Sequence, residues 1–427
     1  ANEVARIYSI RMKYIDALEE YLKIIDRIKI AYTNIEQMIQ KALEAGKKTD
    51  DIVRPIAEYL DSHPESINTA RLLSGLMYDT GDFDRAYTVL ITTAAATNNP
   101  RDVWNLAERL KKDGHLEKAL MVYAGFYRYF ENDPGRVSSL LVSASIKFIL
   151  GDTDGAIMDY RNIVKDYQGT QEGDTASLRI LQLSQDVAFI DELARSLNDF
   201  ASTTKFRPVA REAYITLGEA FLRGGRAEEA EKAFEQARIK SRLKEEMYGV
   251  CVRKALLNFF TGDYEAMSQD IVNCVGYDAD GEEINDLLSL KVLSMRCSSE
   301  TELRGFDTYA HGRYALYRGE ESAAIDSFIV AAVDTSSVVA SFAAGKLAEL
   351  CDRRGEADKA VTWYLHASVT ADDGTEYTGA LIKAADILAI KLDDRERARI
   401  LYVDALTTYP GNVHESEIRR KLMKVTE

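Results

Sequence analysis

Residues Tyr214–Ala237 read YITLGEAFLRGGRAEEAEKAFEQA. Tyr214, Leu217 and Phe221 recur at three and four residues, the period of one helical face. Gly218 sits between them, where a neighbouring helix can approach closely. Gly224 and Gly225 end the run, because glycine costs about 1 kcal/mol in a helix interior yet adopts positive φ freely at a C-terminus. Ala230, Phe234 and Ala237 then resume the same period. The stretch is two short helices joined by a tight turn.

The same signature recurs along the chain: a turn residue, an Ala five later, and a large residue four after that. It appears at Gly81, Ala86 and Leu90, at Gly114, Ala119 and Tyr123, and at Gly151, Ala156 and Tyr160. Beyond the quoted stretch come Gly262, Met267 and Ile271, then Gly319, Ala324 and Phe328, then Gly355, Ala360 and Tyr364. Asp393, Ala398 and Tyr402 end the series. The turn residues lie 33, 37, 74, 37, 57, 36 and 38 residues apart. The 74 is a doubled period, so a worn unit is expected over 171–207, with Ser184-Gln185-Asp186 as its turn. The 57 implies an insertion before Gly319.

This pattern resembles the tetratricopeptide repeat, a helix–turn–helix unit of about 34 residues. The matching positions of the quoted stretch are Tyr214, Leu217, Gly218, Phe221, Gly225, Ala230, Phe234 and Ala237. The resemblance covers 50–410. It implies an all-α fold, a right-handed superhelical solenoid in which stacking buries faces that one helix pair cannot bury alone. Four cuts are expected. Residues 1–47 form a long N-terminal helix, 48–276 and 305–410 form repeats, 277–304 are an acidic insertion followed by a helix, and 411–427 form a capping helix.

The N-terminal stretch differs from the repeats. Ile15, Leu18, Leu22, Ile25, Ile28, Tyr32, Ile35, Ile39 and Leu43 recur at three or four residues with no Gly or Pro before Gly46. This predicts one long helix, or two nearly continuous ones, with a seam close to a heptad. The seam either packs back as a cap or forms a coiled coil with a second copy or a partner.

Composition narrows the function. The net charge is −15 and the isoelectric point about 5.0, whereas nucleic-acid binding needs a basic face to displace counterions. No nucleic-acid partner is expected. No run of apolar residues reaches the 18 that suggest a membrane span. Cys251, Cys274, Cys297 and Cys351 form no C-x-x-C pair and read as small core residues, with no disulfide framework expected. A cytoplasmic location is favoured and a periplasmic one stays open. Ala1 at the start is compatible with a removed Met, a trimmed end or a cleaved signal peptide.

Chemistry is sparse. The five histidines, His63, His115, His311, His366 and His414, are scattered, so no zinc site is expected. There is no G-x-S-x-G and no phosphate loop; Arg223-Gly224-Gly225-Arg226 is a repeat turn. DADGEE near residue 280 resembles part of a calcium loop, but Leu287 stands where a bidentate Glu is needed, and a solvated acidic loop is the better reading. No catalytic activity, cofactor or metal is expected.

What remains is recognition. The resemblance implies that first helices line a groove that holds a peptide or helix. Alignment on the turns places Trp104, Glu108 and Lys112 on that face, then Glu212, Ile215, Glu219 and Arg223, then Tyr309, Arg313 and Tyr317, then Glu349 and Arg353. Trp104 fits the groove and the core equally. Aromatics and Arg are the usual interface anchors. The expected function is a non-enzymatic scaffold that binds protein segments in a multiprotein assembly. The alternatives are a self-assembling homo-oligomer built through the N-terminal helix, and a regulatory or chaperone-type peptide-binding module. The basic cluster Arg419, Arg420, Lys421 and Lys424 reads as the wet face of a capping helix.

Overall fold

The computed structural model describes residues 1–183, 190–333, 338–371 and 373–426. Over these residues the chain forms 24 helices and no strand. Contacts divide it into two compact units, 1–183 and 184–427, so the division falls inside the stretch 48–276 read as one repeat block.

The first unit begins with α1 (Asn2–Ile10), α2 (Tyr14–Leu22), α3 (Lys29–Glu44) and α4 (Thr49–Ser62). Three pairs follow: α5 (Ile67–Asp79) with α6 (Phe83–Thr97), α7 (Arg101–Lys112) with α8 (Leu116–Tyr129), and α9 (Gly135–Ile149) with α10 (Thr153–Asp166). It ends on α11 (Gln171–Leu183).

The second unit starts with α12 (Ile190–Thr203). It continues with α13 (Arg207–Arg223) and α14 (Ala227–Lys240), then α15 (Lys244–Thr261) and α16 (Tyr264–Tyr277). The single helix α17 (Ile284–Arg296) comes next. The last pairs are α18 (Glu300–Tyr317) with α19 (Glu321–Val333), α20 (Ala340–Arg353) with α21 (Ala357–Val369), and α22 (Gly374–Ile390) with α23 (Arg395–Thr408). The final helix is α24 (Glu415–Thr426). The turn read at Ser184-Gln185-Asp186 lies outside the described residues.

One local device repeats at every turn. Gly81, Gly114, Gly151, Gly225, Gly262, Gly319 and Gly355 all have φ between 75 and 90°, and Asp393 has φ 52°. This left-handed conformation caps the first helix and reverses the chain, and glycine adopts it without a Cβ clash. An Asp often follows and caps the second helix: the carboxylates of Asp82, Asp152, Asp263 and Asp394 each accept from the backbone N–H three residues on. Five residues past each turn, Ala86, Ala119, Ala156, Ala230, Met267, Ala324, Ala360 and Ala398 are all 0 % exposed. The large residues four further on, from Leu90 to Tyr402, are buried as well. A small residue lets the two helices approach, and the large one fills the space beyond.

The second helix is also tied to the first through polar tips. Tyr123 donates its hydroxyl to Glu108, and Tyr402 to Asp386 at 2.5 Å. Tyr160 and Ser145 share a hydrogen bond of 2.7 Å in the same place.

The single N-terminal helix is corrected to three shorter ones. Met12 takes φ 58° between α1 and α2, and Ile28 is extended between α2 and α3. No Gly or Pro forces the second break. Instead its polar groups are satisfied by the start of α5: Ser66 donates to Asp26, and the Asn68 amide donates to the Ile25 carbonyl at 3.3 Å. Folding back buries Leu18, Leu22, Ile25, Ile35 and Ile39 within the unit. These seam residues are therefore covered by the chain itself. Ile15 and Tyr32 are half-buried beside them.

The cysteine expectation is also corrected. Cys251 on α15 and Cys274 on α16 form a disulfide, with Cα atoms 5.6 Å apart. Antiparallel packing of the pair brings the two buried positions face to face, which no sequence spacing announces. Cys297 and Cys351 are free thiols.

Candidate interaction groove of the second unit

First helices α18, α20 and α22 present one side to a common pocket of about 290 Å³, which α17 closes on its far wall. Tyr309 and Arg313 come from α18, Ser341, Lys346 and Glu349 from α20, Glu376 and Lys383 from α22, and Asp286 from α17. Arg313 donates to the Tyr309 hydroxyl at 3.1 Å. Glu349 accepts from Lys346 at 2.8 Å and from Lys383 at 3.1 Å. Burial pushes the Glu349 carboxyl up, but the two lysines outweigh it and hold it below the usual carboxylate range. Burial and the nearby Glu349 push the Tyr364 hydroxyl well up. The pocket thus offers guanidinium and ammonium donors beside carboxylate acceptors, a mixed lining suited to peptide polar groups.

A second cluster joins α13, α15 and α18. Arg253 donates to Glu219 at 3.0 Å. Burial first, and then the Glu219 charge, push the Tyr317 hydroxyl up to about 12, against the opposing pull of Arg223 and Arg253. The Tyr314 hydroxyl donates to the Leu222 carbonyl at 2.6 Å, which fastens α18 to the end of α13.

The groove residues read from the sequence therefore fall into several settings. Tyr309, Arg313 and Glu349 converge on the pocket. Glu219, Arg223 and Tyr317 gather in the second cluster. Ile215 and the ring of Tyr309 are buried, the latter among Phe259, Phe306 and Phe328. Glu212 is half-buried on α13, and Arg353 is exposed at the end of α20.

In the first unit Trp104 is half-buried and makes edge contacts to Tyr123 and Phe126 at 5.4 and 5.3 Å. Glu108 holds Lys111 as well as Tyr123, and Lys112 is exposed. A separate pocket of that unit, about 580 Å³, lies on α3, α5 and α7 and is lined by Tyr32, Arg71, Tyr78 and Arg109. There Arg71 clasps Asp102 with two hydrogen bonds of 3.0 and 2.9 Å.

Asp286, Ser341, Lys346, Glu376 and Lys383 were missed. Lys383 carried a signal: it stands ten residues before its turn residue, the position Tyr309 holds before Gly319. Asp286 carried none, because α17 belongs to no pair.

The family model for the tetratricopeptide repeat matches residues 212–237, the α13–α14 pair whose turn and alanine geometry recurs along both units. Residues 212–237 are thus similar to a tetratricopeptide repeat, set in a chain of repeated helix pairs. Similar solved structures include a tetratricopeptide repeat protein from Parabacteroides merdae, at 16 % identity over 61 % of this chain and 98 % of that one, with a TM-score of 0.39. The Cut9–Hcn1 hetero-tetramer of APC/C is similar over 91 % of this chain and 76 % of that one, at 16 % identity and a TM-score of 0.31. Naa15/Naa10 bound to HypK-THB is similar over 99 % and 65 %, at 13 % identity and 0.32. None of them bears on the ligand of this chain. No curated protein matches it in sequence. Among the described residues no helix is long and apolar enough to cross a membrane.

Proposed function

We propose that this chain is a non-catalytic scaffold that holds a segment of a partner protein against the first helices of its second unit. The observation that supports the reading is the convergence of Arg313 and Glu349, from different helix pairs, on one pocket with Tyr309. Three successive first helices contribute polar groups there, and a bound segment would touch all three. Such a site recognises an extended or helical peptide through backbone and side-chain hydrogen bonds. The assembly it serves follows from whichever protein carries that segment.

The test is a crosslinked pull-down with the full chain, the Arg313→Glu variant and the Glu349→Lys variant, each checked for fold by circular dichroism. Loss of the same partners in both variants supports the groove. Unchanged partners in both would overturn it.

A further inference from the structure

Helix α17 fills the long interval between Gly262 and Gly319 and has no pair of its own. It is nevertheless held firmly. Leu287, Leu290 and Leu293 are buried beneath it. Ahead of it, Gly281 lies against Tyr248 so closely that a Cβ would stand 2.2 Å from the ring. The Tyr248 hydroxyl donates to Glu283 at 3.2 Å. At the other end Arg296 is paired with Glu376 at 2.7 Å.

The outer face of this anchored helix is apolar. Leu288, Val292 and Met295, at i, i+4 and i+7, are 37, 54 and 71 % exposed. Single exposed apolar residues are ordinary, but a stripe at helical spacing marks a contact surface. At about 100° per residue this ridge lies roughly opposite the side of α17 that closes the pocket. It is therefore independent of the groove proposed above.

Charge identifies the kind of occupant. The chain leading to the ridge carries Asp278, Asp280, Glu282 and Glu283. Among the described residues none of these four is in an ion pair; of the cations of α17, Lys291 donates to the Ser268 carbonyl at 3.5 Å and Arg296 is paired with Glu376. A field of unneutralised carboxylates beside an apolar ridge complements a segment that is apolar on one face and basic at one end.

We propose that α17 is a docking ridge for a basic amphipathic helix of a partner protein. Its apolar residues pack over Leu288, Val292 and Met295, and its Lys or Arg residues meet the carboxylates of 278–283.

The test uses the full chain and a fluorescent helical peptide of Leu and Lys with Leu on one face. A scrambled peptide of the same composition and a Leu/Glu peptide of the same pattern serve as controls. Anisotropy is expected to show binding of the amphipathic Lys peptide alone. The Val292→Ser/Met295→Ser variant, which keeps every charge, should weaken it about tenfold or more. The Asp280→Asn/Glu282→Gln variant should weaken it severalfold and flatten its salt dependence. Arg313→Glu should leave it unchanged, so a failed groove and a failed ridge read differently. Met295→Ser alone, at the most exposed position, serves if the double variant does not fold. Equal binding to the ridge variant, equal binding of the scrambled or Glu peptide, or no binding would overturn the proposal. So would a dimer in solution that the ridge variant dissolves, since the occupant would then be a second copy.

Discussion

Arg296 of α17 donates from Nη1 to Glu376 Oε1 of α22 at 2.7 Å, across 80 residues of chain. Glu376 also accepts from the Ser341 hydroxyl of α20 at 2.8 Å. One carboxylate thus joins the inserted helix to two repeats, and both partners of the ion pair are mostly buried.

Replacing Arg296 by Met should loosen α17 selectively. A charged hydrogen bond of this kind is worth about 1.5–3 kcal/mol, and its loss leaves a half-buried carboxylate poorly partnered. Hydrogen exchange is expected to accelerate over 284–296 while α20 and α21 keep their protection. Uniform acceleration through the second unit would show that α17 is part of its cooperative core instead.

Gly218 and Gly312 are equivalent close-approach points, each seven residues before its turn glycine. A Cβ on Gly218 would lie 2.4 Å from the Phe234 ring, and one on Gly312 2.7 Å from Phe328. Gly218→Ala is therefore expected to destabilise by about 1–3 kcal/mol through overpacking, despite alanine's better helix propensity. Chemical denaturation should show the loss, and Phe234→Leu in the same chain should return part of it.

The turn series contains one exception, Asp393, with φ 52° where the other units have Gly. A left-handed backbone costs an L-residue roughly 1 kcal/mol, so Asp393→Gly should stabilise and Gly355→Ala should destabilise by similar amounts. Opposite shifts of the denaturation midpoint are the expected result.

The N-terminal helices pack into the core of the first unit. Ile35 is fully buried in its core, so Ile35→Ala should cost about 2–5 kcal/mol. Removing residues 1–45 should expose the apolar side of α4 and α5, seen as dye binding and early melting. A deletion that keeps its stability and loses only a higher mass in solution would restore the coiled-coil reading.

Two of the buried tyrosines contribute to an alkaline limit within reach of titration. Burial, reinforced for Tyr78 by its hydrogen bond to Asp113, pushes the Tyr78 and Tyr317 hydroxyls up to about 12 from the ordinary 10. The folded state holds these protons more tightly than the unfolded state. Their contribution is therefore complete below pH 10 and is lost as pH rises toward 12. Melting temperature should fall across that window together with the growth of tyrosinate absorbance, and Tyr78→Phe should flatten part of the fall.

The groove was partly legible from the turns alone. Arg313 and Glu349 stand six residues before their turn glycines, and a shared distance from a rigid landmark places them on equivalent faces. Trp104 was not decided by that rule, because a side chain reaching both groove and neighbour settles where packing sends it, here against Tyr123 and Phe126.

The sequence by itself determined the helix pairs. Positive φ at each turn and a buried small residue five positions later are local steric demands, and a local demand that repeats is visible as a period. Only the tertiary structure decided the break at residues 23–28, the pairing of Cys251 with Cys274, and the seat of α17 against α22. Each depends on groups far apart in the chain, such as Asp26 with Ser66 or Arg296 with Glu376, whose meeting follows from how helices stack and leaves no periodic trace.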